Sequence, residues 1–270
     1  MNNKKVLYIA QEITPYLPES ELARLGKNLP QSIQEKGYEV RTFMPKYGTI
    51  NERRNQLHEV IRLSGMNIII DDSDHPLIIK VATLQPSRMQ VYFIDNEDYF
   101  QHYGLSDLEI RLSPEDNDER IMFYVRGVVE TVKKLRWEPS IIHNIGWITA
   151  LAPLYLKNIY NEDPSFRSSK IVYSLTGDRF EGTLDERLVE KLKQDGLEDE
   201  TLASLADDAV DYIALSKIAI ENSDGVVQLT EKVDDELLQF VEQKGIPFLP
   251  YNEQEKRAEE FLEFYKSLFD

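Results

Sequence analysis

No cysteine occurs in the 270 residues, which excludes disulfides and thiolate metal sites. Histidine is scarce: four copies, His58, His75, His102 and His143, are scattered along the chain, so a structural zinc site is not expected, and neither is a metal or cofactor of another kind. Long apolar runs are missing too. No segment reaches the roughly 18 to 20 apolar residues that cross a bilayer, and the opening MNNKKVLYIAQEI breaks off into Gln11 and Glu12, which suits a first strand better than a secretory signal. The compartment expected from this is the cytoplasm, with no membrane partner. Positive charge is in deficit, 31 Lys and Arg against 48 Asp and Glu, for a net charge of −17. That balance speaks against nucleic acid as a partner and leaves a neutral polymer unopposed.

What is present is a core-forming chain. Hydrophobic residues make up 41% of it, and a chain of this length buries roughly 75% of its unfolded surface. KVLYIA reads as a strand, Ser20 or Glu21 to Lys36 as a helix closed by Gly37, and YEVRTFMP as the next strand, together a right-handed parallel crossover. Between Leu57 and Leu84 the apolar runs suggest inserted β-hairpins. MQVYFIDN resumes the parallel sheet, and a helix follows from about Asn117 to Trp137. Strands SIIHN, KIVYSL, DGVVQL and IPFL then alternate with helices near 185–194, 209–222, 233–244 and 253–269, with no internal repeat or low-complexity linker. The pattern predicts an α/β fold: a single Rossmann-like, doubly wound, mainly parallel sheet over 1–251, with a terminal amphipathic helix in 252–270 packed on the same domain.

Such sheets bind ligands past the carboxyl ends of their strands. No G-x-G-x-x-G, P-loop, G-x-S-x-G or H-E-x-x-H pattern stands at those joints. In their place KVLYIAQEITPY, MPKYGTI, VYFIDNEDYF, DNDERIMFY and IIHNIGWITALAPLYLK occur in order. These blocks, with KIVYSL after them, resemble the amino-terminal domain of bacterial glycogen and starch synthases. The resemblance implies one half of a GT-B glycosyltransferase, whose two Rossmann-like domains face each other across a cleft and pass glucose from ADP-glucose to an α-1,4-glucan with retention. It implies α-1,4-glucan and a separate donor-binding glycosyltransferase subunit as partners, since the sequence stops before the second domain.

The departures are as specific as the matches. Where the family has a lysine, a threonine and two glycines, this chain has Pro18, Glu19, Ser20 and Glu21. Two carboxylates replace a phosphate-approaching loop, or else Ser20 simply caps a helix and Glu21 favours its first turn. At the next joint His143 and Trp147 remain, but a family histidine has become Ile145, which cannot donate a hydrogen bond to a sugar. The usual histidine and asparagine after KIVYSL correspond to Thr176 and Gly177. Asp116, Asn117, Glu119 and Arg120 keep the family pattern at a helix start, either orienting glucan hydroxyls or serving as a cap and helix surface. The substrate-binding set is therefore Asp116, Asn117, His143 and Trp147. His143 has a rival role as a satisfied core histidine, and Trp147 as packing for the joint. The expected function is a glucan-binding or regulatory synthase homologue that is inactive alone. Glucosyl transfer with a donor-binding partner and a purely structural role stand as alternatives.

Overall fold

A computed structural model describes residues 4–101, 116–205, 209–253 and 258–270; His102 lies outside them. Strand β1 (Lys5–Ala10) leads through helix α1 (Glu21–Glu35) to β2 (Glu39–Pro45). Three antiparallel strands follow, β3 (His58–Glu59), β4 (Met66–Ile70) and β5 (Ser73–Leu84), then β6 (Met89–Asp95), α2 (Asn117–Leu135) and β7 (Ile141–Ile145). The chain continues through α3 (Leu151–Asn158), β8 (Lys170–Leu175), α4 (Leu188–Gln194), α5 (Tyr212–Glu221), β9 (Gly225–Gln228), α6 (Asp235–Lys244), β10 (Phe248–Leu249) and α7 (Ala258–Ser267).

The strands are ordered β10-β9-β8-β7-β1-β2-β6-β5-β3, with β4 paired to β5. β10 through β6 run parallel, and β6 meets β5 antiparallel. The expected hairpins are therefore an extension of one sheet edge. Strand order moves outward from β1 in both directions, so right-handed crossovers place α1 on one face and α2, α3 and α5 on the other. The contacts agree: α3 packs on α2 and α5, while α1 packs on α7.

The helix starts follow side-chain chemistry. Ser20, Asp211 and Asp234 each accept a backbone N–H of the following turn, from Ala23, Ala214 and Glu236. These caps start α5 and α6 three and two residues inside the spans that periodicity alone suggests. The central strands are buried on both faces: every residue of β7 lies in the core, and so does all of β1 after Lys5. Helix α7 buries Phe261, Leu262, Phe264 and Tyr265 on the α1 face. No helix among the described residues is long and apolar enough to cross a membrane.

Candidate functional site

The carboxyl ends of β1, β8 and β9 bound a cleft of about 500 Å³. Its lining comes from the start of α1 (Ser20, Glu21, Leu22), the loop after β8 (Thr176, Gly177, Asp178), the loop after β9 (Thr230, Glu231, Lys232), and Tyr251. Two loops are drawn tightly together here. The Gly177 N–H donates to Thr230 Oγ1 at 2.9 Å, and that hydroxyl donates to the Lys232 carbonyl at 3.0 Å. A Cβ at position 177 would stand 2.8 Å from the Lys232 oxygen, so the closeness requires glycine.

The start of α1 carries carboxylates. Ser20 Oγ accepts from Ala23 N at 2.9 Å and donates to Glu12 Oε2 at 2.7 Å, and Glu21 opens the first turn. The positive end of the helix dipole is thus met from within the chain. Glu12 is buried, Glu21 and Glu231 are exposed, and Asp178 is half-buried. The loops that carry the cleft, 11–21, 176–187 and 229–236, hold eleven acidic and three basic residues, nearly half of the net −17.

Between β1 and β8 lies the end of β7, and a polar bridge spans it. Gln11 Nε2 donates to Asp178 Oδ2 at 2.7 Å, while Gln11 Oε1 accepts from Ile148 N at 3.4 Å. The bridge passes over Gly146, whose φ is 95°. A Cβ there would come within 2.6 Å of Gln11 Cβ. Tyr47 and Tyr124 brace the end of β1 from below by donating to the carbonyls of Gln11 and Ala10 at 3.0 and 2.8 Å.

The four residues singled out in the sequence fall in three places. Trp147 is buried beside the bridge with its ring 4.9 Å from that of Phe180, and its indole N–H has no hydrogen-bond partner among the described residues. Asp116 and Asn117 begin α2, where Asp116 makes no side-chain cap bond and instead takes a 2.6 Å hydrogen bond from Arg120. Arg120 also donates to Asn117 Oδ1 and to the Tyr99 carbonyl. It is fully buried, so it does not belong to the helix surface: its guanidinium is the hub of the motif. Glu119 receives Tyr99 Oη and Lys191 Nζ at 2.9 and 2.7 Å, and Tyr99 Oη also meets His75 Nε2 at 2.9 Å.

His143 is separate from all of these. Its ring lies in the core on the α7 face, with Nδ1 2.5 Å from Tyr265 Oη and Nε2 2.6 Å from Ser174 Oγ. Burial lowers its pKa from 6.5 to about 3, holding the ring neutral. These are the contacts of a core histidine, with both nitrogens occupied inside the protein. Ile145, one of the positions at which the sequence departs from the resemblance, is fully buried at the last residue of β7.

Sequence inspection passed over Gln11, Asp178, Thr230 and Lys232. Their one signal was position, each being within a few residues of a strand's carboxyl end. Among the described residues no group of three His, Cys, Asp or Glu is arranged to hold a metal ion.

A doubly wound α/β sheet with its crevice beyond the carboxyl strand ends defines a Rossmann-type domain. The chain belongs to the starch synthase catalytic domain family, whose profile matches residues 5–246. It is 35% identical over 237 residues to a glycogen synthase of Chlorobium luteolum, covering 87% of this chain and 47% of that protein. To a glycogen synthase of Pelodictyon phaeoclathratiforme it is 39% identical over 191 residues, 70% of this chain and 39% of the relative. The chain thus spans less than half the length of these curated relatives. The catalytic domain of starch synthase IV from Arabidopsis thaliana, solved with ADP and acarbose, superposes with a TM-score of 0.73 at 20% identity, covering 92% of this chain and 51% of that one.

Proposed function

We propose that this domain binds α-1,4-glucan and does not take a sugar nucleotide in its crevice. Its part in glycogen metabolism is then binding or regulation without glucosyl transfer of its own. The observation that carries the proposal is the start of α1, the kind of helix end that ordinarily favours an anion, where Glu21 lines the cleft and the capping Ser20 is hydrogen-bonded to Glu12. Two like charges about 4 Å apart repel by roughly 1 kcal/mol in water and about 4 kcal/mol at an effective dielectric near 20. An anionic donor therefore loses between about fivefold and about a thousandfold in affinity here. A neutral glucan meets no such barrier. Ile145 adds to the case, since an apolar side chain withholds the hydrogen bond that developing charge would require.

Two measurements on the same preparation test this. The protein is expected to be retarded in a glycogen-containing native gel, and to release no nucleotide and extend no labelled maltooligosaccharide from ADP-glucose or UDP-glucose. Unchanged mobility would remove the glucan-binding proposal. Coupled nucleotide release and one-glucose extension would instead establish a transferase.

A further inference from the structure

We infer that a second cavity, on the α1 face beside the crevice, binds a small organic amine: one apolar ring carrying a protonated amino group. The inference does not depend on the glucan function. The cavity measures about 200 Å³ and lies between α1, the segment after β10 and the start of α7. Its size bounds the occupant. A cavity of roughly 150 Å³ takes benzene, and sites for drug-sized ligands begin near about 300 Å³. A single ring with a short substituent falls between these limits.

The lining sets the chemistry of the ring. Positions 21, 25, 28, 29 and 32 recur on one side of α1 at helical spacing, with Leu29 buried and Leu25 half-buried. Leu229 after β9, Phe261 of α7 and Tyr251 complete the apolar part. The Asn252 amide donates to Glu260 Oε1 at 2.9 Å, which ties the segment after β10 to α7 as the far wall. Aliphatic side chains and two aromatic rings favour an apolar, preferably aromatic, body over a polyol.

Charge selects the substituent. Glu21 and Glu253 are exposed carboxylates of the lining. Arg24 is its cation, and the Arg24 guanidinium already has Glu19 at 4.0 Å. An ammonium therefore meets two carboxylates, whereas an anion meets a guanidinium that is shared. Glu21 and Tyr251 also line the crevice. A bound amine stands against the crevice wall and offsets part of the negative charge there, so the cavity is placed to act as an effector site.

Isothermal titration of the full chain with phenethylamine and with 3-phenylpropionate, which carry opposite charges on similar bodies, tests the assignment. Phenethylamine is expected to bind one-to-one, about fivefold or more tightly than 3-phenylpropionate. Leu25→Trp, which fills the space from a half-buried position, is expected to weaken phenethylamine about tenfold or more with an unchanged far-UV circular dichroism spectrum. Glu21→Gln and Glu253→Gln combined, both at exposed positions, are expected to weaken it about fivefold. Equal or tighter binding of 3-phenylpropionate would overturn the amine class. Phenethylamine binding that both variants leave intact would place the amine elsewhere on the acidic surface, and no binding of either compound would remove the site. Each of these outcomes leaves the glucan function standing or falling on its own test.

Discussion

His143 shows what a single buried side chain does to the pH response. Its folded pKa of about 3 lies below the ordinary 6.5, so the unfolded chain takes up the proton first. The stability tied to this ring is whole above about pH 6.5 and drains away as pH falls toward 3. At pH 5 the loss is on the order of 2 kcal/mol, from a pKa difference counted at about 1.4 kcal/mol per unit. Urea unfolding at pH 7 and pH 5 should show that decrement in the parent and its absence in His143→Gln. The ring resonances of His143 should hold their neutral positions across the same range. Residue scale is also where the candidate site was least legible. His143 and Trp147 stand four positions apart, yet one faces α7 and the other meets Phe180. The Gln11–Asp178 pair is visible only once two distant strand ends are adjacent. Asp116 and Asn117 were found by pattern, but the burial of Arg120 that organises them depends on Tyr99 from another element.

Elements were far more legible than side chains, because hydrophobic period and capping chemistry are local. Helix α1 begins after Ser20 as its cap dictates, and β1, β2, β7, β8 and β9 follow their apolar runs. The parallel return of β6 beside β2 followed from the strand and helix alternation, whereas periodicity could not supply the antiparallel pairing of β5 with β6 that joins the hairpin strands to the same sheet. The distance between α1 and the loop after β1 was equally hidden. Gly26 lets the helix approach so closely that a Cβ there would lie 2.1 Å from the Glu12 carbonyl oxygen, a backbone atom that cannot swing aside. Gly26→Ala is expected to destabilise the protein by about 2 kcal/mol or more, since the helix must shift bodily. The Ser20–Glu12 hydrogen bond should be lost with that shift, and urea unfolding with a crystal structure of the variant would check both. A stability within about 0.5 kcal/mol of the parent would show that the loop yields instead.

Across the whole molecule, charge is unevenly distributed, with the cleft loops carrying nearly half of the net −17. Salt screens exposed charges within about 10 Å at 0.1 M and about 3 Å at 1 M. Affinity for a neutral maltooligosaccharide is therefore expected to change less than about twofold between 50 mM and 500 mM NaCl. Any residual association with ADP should strengthen over the same interval as its repulsion is screened. Isothermal titration at the two salt concentrations reads both, and a steep loss of glucan affinity with salt would contradict a neutral mode of recognition. The hydroxyl of Tyr8 in the first strand lies 3.0 Å from that of Tyr265 in the last helix, 257 residues along the chain. A ribosome adding about 5 to 20 residues per second needs roughly 13 to 50 seconds to cover that separation. For all of that time the first strand waits for α7 to cover its face, and His143 lacks its tyrosine over the last 122 residues of it. The nascent chain is therefore exposed to chaperones and to misassociation until α7 emerges.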